Sequence, residues 1–248
     1  MCSNYTPTRR DLLPEHFGVE APVSDWKEET WPGYLAPIIR VAEDGSGTLD
    51  CEAACFGMVP HWAELKLSRH TYNARSETVA SKPSFRHAYA KRQLCIIPAE
   101  SIFEPNYESG RAVRWKIARD DGAPMGIAGL WEWRPNGGPD DKPLLSFTML
   151  TINADEHPLM KRFHRPEDEK RMVVLLEPAQ YRPWLDADAN AIASFLQPYP
   201  AHKLKAEAAP RATSANKTPS VKARAAHPSP DVHRAPRAPR ALWDDDEE

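Results

Sequence analysis

The apolar residues of this chain come in short runs, each bounded by proline, glycine or polar turn residues: 38–41, 52–59, 93–97, 113–118, 125–131, 147–152 and 172–176. Runs of this length, rich in β-branched and aromatic side chains, read as strands rather than helices, and their spacing predicts a mainly antiparallel sheet. Helical patterns are shorter and sit between them, at 10–17, 76–80, 83–90, 158–161, 178–185 and 189–196. The predicted class is therefore α+β. No internal repeat is present, and the strand–helix alternation of a dinucleotide-binding fold is missing.

Composition changes sharply after Tyr199. The chain becomes alanine, proline, lysine and arginine, a mixture that cannot bury enough apolar surface to offset the entropy of folding. The sequence thus predicts one domain over 2–200 and a disordered tail over 201–248, basic through Arg240 and acidic from Asp244 to Glu248. Within the domain no apolar run approaches the roughly 18 residues of a membrane-spanning helix. The N-terminal MCSNYTPTRRDLL lacks the apolar segment of a secretory signal, which predicts a cytoplasmic protein.

Four cysteines in 248 residues do not make a disulfide framework, and Cys51 and Cys55 share one strand-like segment with no second ligand pair, so no metal site is predicted. Only 11 glycines are present and no glycine-rich phosphate loop, and no cofactor is expected. A net charge of −3 argues against a nucleic-acid partner when taken as an average. The average hides basic clusters at Arg9 and Arg10, over 82–92, and in the tail.

Several residues carry possible chemistry. Removal of Met1 would leave Cys2 with a free α-amine and a thiol on one carbon skeleton, both partly nucleophilic near neutral pH. Such a pair captures an aldehyde as a Schiff base and then closes a thiazolidine ring; the plain alternative is a frayed terminus. In FGMVPHW, His61 and Trp62 stand at a proline turn, where Trp62 can stack on a base or simply pack in the core. In YNARSET, Asn73 and Arg75 precede a predicted helix bearing Glu77; Arg75 suits a phosphate, and capping is the alternative. Glu104, flanked by Phe103 and Pro105, is a candidate desolvated carboxylate, and Glu100 lies nearby in the sequence. His157 and His164 follow an apolar strand and are candidate proton carriers or ordinary structural histidines.

Taken in order, the initial MC, the GMVPHW of Gly57 to Trp62, the NARSET of Asn73 to Thr78, the CIIPA of Cys95 to Ala99 with Glu104 after it, AGLWE at Ala128 to Glu132, and His164 followed by Arg171 and Met172 resemble the SOS-response-associated peptidase, or SRAP, family. The resemblance covers about residues 2 to 200. It implies an antiparallel barrel-like sheet with a groove for single-stranded DNA that carries abasic sites. It also implies Cys2 as covalent nucleophile, Asn73 and Glu104 as orienting groups, His164 as acid and base, Arg75 on phosphate and Trp62 against a base.

The chain departs from that pattern in places. Ser3 and Asn4 stand where many members carry Gly-Arg, which would move a phosphate contact to Arg9 or Arg10. Tyr34 takes the place of a usual asparagine, and Pro166 to Lys170 lengthen the loop after His164. Two other readings remain open: a cysteine peptidase that removes its own Met1, with lyase activity as a variant, and a non-covalent single-stranded DNA module whose tail recruits a repair or replication protein. A monomer suffices for any of them.

Overall fold

The computed structural model describes residues 2–211; most of the sequence-predicted tail, 212–248, lies outside the described residues, as does Met1. In chain order the elements are β1 (Tyr5–Pro7), α1 (Leu13–Phe17), β2 (Leu35–Val41), β3 (Leu49–Phe56), β4 (Asn73–Arg75), α2 (Arg86–Ala90), β5 (Leu94–Asn106) and β6 (Val113–Arg119). They continue with β7 (Met125–Arg134), β8 (Leu144–Asn153), β9 (Arg171–Val173), β10 (Leu175–Leu176), α3 (Tyr181–Leu185), α4 (Ile192–Phe195) and β11 (Leu204–Ala208). All seven apolar runs lie on or overlap strands, the last divided between β9 and β10.

Five strands close on themselves. β2 pairs with β3, β3 with β8, β8 with β7, β7 with β5, and β5 returns to β2 through Ile39 opposite Ile96. Every pairing in this ring is antiparallel except β3 with β8. Closure leaves none of these five strands as a free edge of the ring. Inside the single domain, Phe56 stacks on Phe147 at 5.2 Å between ring centroids and meets the edge of Tyr5 at 5.3 Å, and all three rings are buried.

The 13-residue β5 organises what lies outside the ring. Its first half pairs with β7, while its second half pairs with β6 from Ile102 to Asn106 and with β1 from Ala99 to Ile102. The chain's start is therefore a strand of the sheet rather than a loose end. β4 and β9 add to β8, with β4 running parallel to it.

Two expectations are corrected. Residues 76–80 are successive turns, not a helix: the Ser76 amide is drawn to the Thr151 carbonyl of β8, and the Thr78 and Val79 amides both close on the Arg75 carbonyl at the end of β4. Residues 201–208 fold as a short 3-10 turn and β11, which pairs with β6 from Leu204 opposite Arg119 to Ala208 opposite Trp115, so the ordered domain passes the boundary at 200. Among the described residues no helix is long and apolar enough to cross a membrane.

Candidate active site

The pairing of β1 with β5 decides where Cys2 goes. Tyr5 lies opposite Ile102, and the Phe103 amide donates to the Asn4 carbonyl at 3.0 Å, so residues before Tyr5 run toward Glu104. On the other side Tyr5 and Thr30 exchange backbone hydrogen bonds at 3.3 and 2.9 Å. The Asn73 side-chain amide then donates to the Cys2 carbonyl at 2.7 Å. Cys2 is 1% exposed, with its thiol donating to the Asn4 carbonyl at 3.5 Å.

Burial pushes the Cys2 thiol pKa well up, and the charge of Glu104 adds to the rise. Tyr72 is raised by its own burial first, then by Glu104 and by Cys2, so these three groups feel one another. Tyr72 is a neighbour that the sequence did not single out, although it directly precedes Asn73.

His164 reaches the same place from a distant part of the chain. Asn106, at the end of β5, bridges to Phe163, and its side chain donates to the Arg162 carbonyl at 3.0 Å. The His164 amide donates to the Pro105 carbonyl at 2.8 Å. Together these bonds hold His164 at φ +64°, a left-handed conformation that costs a non-glycine residue about 1–2 kcal/mol. The imidazole Nε2 then lies 2.8 Å from Glu104 Oε2, with both side chains buried.

His157 has a different fate. Its Nδ1 accepts from the Leu159 and Met160 amides at 3.1 and 3.0 Å, which leaves Nε2 to donate to the Tyr199 carbonyl at 2.8 Å. It pins the loop that carries His164 and is a structural histidine.

Asn73 and Arg75 are two residues apart on β4 and so share a face. Arg75 Nη1 is 2.6 Å from Glu169 Oε2. Glu169 in turn meets Arg171, which is buried and also bound by Glu77 at 2.8 and 2.9 Å and by the Thr151 carbonyl at 2.8 Å. Glu77 thus anchors Arg171 instead of beginning a helix.

The remaining candidates stand in other clusters. Trp62 is 57% exposed, and His61 faces the His87 ring at 6.3 Å, where His87 pairs with Glu132 at 3.2 Å. Arg9 meets Asp11 and Glu100, while Arg10 is held by Asp25, by the Pro22 and Ser24 carbonyls and over the Trp26 ring. It is Arg114 that reaches the N-terminal segment, donating to Asn4 Oδ1 at 2.8 Å and pairing with Glu29 at 2.8 Å. Cys55 is buried and Cys51 partly so, and among the described residues no group of histidine, cysteine and acidic side chains could hold a metal ion.

Cys2, Asn73, Glu104 and His164 therefore meet, joined by Tyr72, with Arg75 beside Asn73. This arrangement sets Cys2, held by its carbonyl, beside a buried imidazole–carboxylate pair. The SOS response associated peptidase family model matches residues 1–215. The abasic site processing protein YoqW of Bacillus subtilis (strain 168) is 30% identical over 217 residues, which span 83% of this chain and 91% of YoqW. The abasic site processing protein YoaM of the same organism is 32% identical over 190 residues, 73% of this chain and 78% of YoaM. A solved protein structure from Bordetella bronchiseptica is similar with a TM-score of 0.77 and 39% identity, covering 84% of this chain and 99% of that one. Another from Bacteroides thetaiotaomicron shares the fold at a TM-score of 0.71 and 20% identity, covering 84% and 91%.

Proposed function

Because the chain belongs to the SOS response associated peptidase family, we propose that it processes abasic sites in single-stranded DNA by bonding to them through Cys2. The observation that carries this reading is the hydrogen bond from Asn73 to the Cys2 carbonyl, which fixes the residue after Met1 beside the Glu104–His164 pair.

Once Met1 is removed, the Cys2 amine attacks the aldehyde carbon of the ring-opened abasic sugar. A carbinolamine forms, then loses water to give an imine. The thiol adds to the imine carbon as its proton passes to the imine nitrogen, and the five-membered thiazolidine closes; atoms balance with one water released and no redox change. A thiol whose pKa is raised by burial favours this order, since it arrives with its own proton and the amine acts first. His164 serves as the acid that assists ring opening and loss of water, with Glu104 orienting its ring. Holding amine and aldehyde together can supply about 7–11 kcal/mol of the barrier in well-oriented cases.

Arg75, Trp62 and His61 are proposed contacts of the strand, through phosphate and base stacking. Arg9 and Arg10 serve less well, because the chain after β1 runs alongside Ala99 and Pro98, away from Glu104, and carries them to Glu100 and Asp25. A peptidase acting through a free thiolate fits a buried, high-pKa thiol poorly.

The test is intact mass and denaturing-gel mobility after incubation with single-stranded DNA holding one abasic site, with Cys2→Ala and undamaged DNA as controls. A heat-stable adduct on the N-terminal peptide, absent from both controls, is expected. Protein that lacks Met1 and still gives no adduct overturns the reading.

A further inference from the structure

Arg75 shares the face of β4 with Asn73, and about half of its side chain is exposed (47%), so it is a natural seat for a DNA phosphate. That seat is already filled. Among the described residues Glu169 is the one hydrogen-bonding and ion-pairing partner of Arg75, at 2.6 Å.

Glu169 is placed for the purpose. One carboxylate oxygen faces Arg75, while the other lies 2.8 Å from Arg171 Nη1 and accepts from Asn153 at 3.2 Å. A planar carboxylate between two guanidinium groups occupies them as an oxyanion would. Arg171 is committed, being 2% exposed and fixed by Glu77 and Thr151. Arg75 is the arm with freedom to change partners.

The segment that delivers Glu169 is tethered at its far end, where the Lys170 amide donates to Asp155 Oδ1 at 2.8 Å and the Lys170 ammonium meets the Arg165 carbonyl. It is the same Pro166 to Lys170 stretch that lengthens the loop after His164, and it carries Glu167, Asp168 and Glu169 in succession.

We infer that Glu169 is a built-in competitor for the phosphate seat on Arg75, which a bound strand must displace. This rests on the proposed reading that single-stranded DNA is the ligand. Its consequence is selectivity. An undamaged strand exchanges one ion pair for another at Arg75 and gains little, whereas a strand bearing an aldehyde is retained by Cys2.

The test measures the Kd of a fluorescent, undamaged single-stranded oligonucleotide at one fixed salt concentration. It uses the full chain and its Glu169→Gln, Glu169→Asp, Arg75→Gln and Glu169→Gln/Arg75→Gln variants, with Glu156→Gln as a control for loss of one nearby exposed negative charge. Glu169→Gln is expected to tighten binding by about threefold to tenfold. Glu169→Asp, which keeps the charge but withdraws it by one methylene, should tighten it less. In the Arg75→Gln background the gain should shrink to that of Glu156→Gln alone.

No tightening in either Glu169 variant overturns the inference, as does an equal gain with Arg75→Gln present. Melting curves identify a variant that has unfolded, and Glu169→Asp then decides the outcome. A wild-type chain that captures abasic DNA while these variants change nothing leaves the function standing and this inference wrong. A chain that neither captures abasic DNA nor binds the oligonucleotide in any form removes both.

Discussion

His164 Nε2 and Glu104 Oε2 are 2.8 Å apart although sixty positions separate them in the chain, and both side chains are buried. A buried pair of this kind holds one imidazole orientation and shields its proton exchange from water. His164→Ala should therefore slow adduct formation by about 100-fold or more under single-turnover conditions at saturating DNA. The affinity for undamaged DNA should change little, because neither group is a proposed phosphate contact. Glu104→Gln should slow the reaction less than His164→Ala, since it keeps a hydrogen-bonding partner for the ring. An unchanged single-turnover rate in His164→Ala would remove the pair from the chemistry.

Arg171 ties Glu77 into an ion pair whose contribution to stability should fade in acid. Hydrogen bonds from the Arg171 guanidinium hold the Glu77 carboxyl at about 2, below its usual 4.5. A carboxyl depressed by folding stabilises the fold fully above its unfolded value, and that contribution is lost as pH falls through the folded value. The window is thus from about pH 5 down to about pH 2. About half of the Glu77 side chain is exposed, so solvent screening keeps the effect modest. Glu77→Gln should lower the melting temperature at neutral pH and flatten its decline between those limits. Parallel wild-type and variant curves across the window would mean that Glu77 carries none of the acid sensitivity.

Gly57 is the hinge between β3 and the turn that carries His61 and Trp62. Its φ is +110°, and a Cβ there would lie 2.1 Å from the Ser68 carbonyl oxygen, a contact with backbone that no rotamer change relieves. Gly57→Ala should cost about 3 kcal/mol or more, combining left-handed strain with overpacking. Urea unfolding checks this through a lowered midpoint at unchanged slope. A midpoint equal to wild type would show that the turn can re-form without the Gly57 geometry.

The sequence was most legible where burial on both faces kept charged residues out of a run, as in 125–131 and 147–152, which became β7 and β8. It was least legible where a strand owes its place to pairing alone. β4 is Asn-Ala-Arg, with no apolar pattern, and exists because β8 offers it a parallel edge. The choice between His157 and His164 could not be read from residue type, since it depends on two amides donating to one ring and a β-bridge presenting the other. The missing arginine at position 4 was legible, but not its neighbour: Arg114, from β6, meets Asn4 through a contact spanning 110 positions.

β11 shows how a composition boundary can misplace the end of a fold. Leu204 is its one buried large apolar residue, and the strand's stability comes from five registered pairs with β6. Just beyond it the Ala209 amide donates to the Arg114 carbonyl, and Arg211 lies over the Trp31 ring within reach of Glu29. A chain ending at 203 would leave one edge of β6 unpaired and remove these holds on Arg114, which itself grips Asn4 beside Cys2. Compared with a chain ending at 211, it should lose on the order of 2 kcal/mol, or about 4–8 °C in melting temperature for a domain of this size. It should also form the abasic adduct more slowly at a temperature where both chains remain folded. Equal melting would mean that β11 is only laid against the sheet, and equal adduct rates would uncouple the Arg114–Asn4 contact from the position of Cys2.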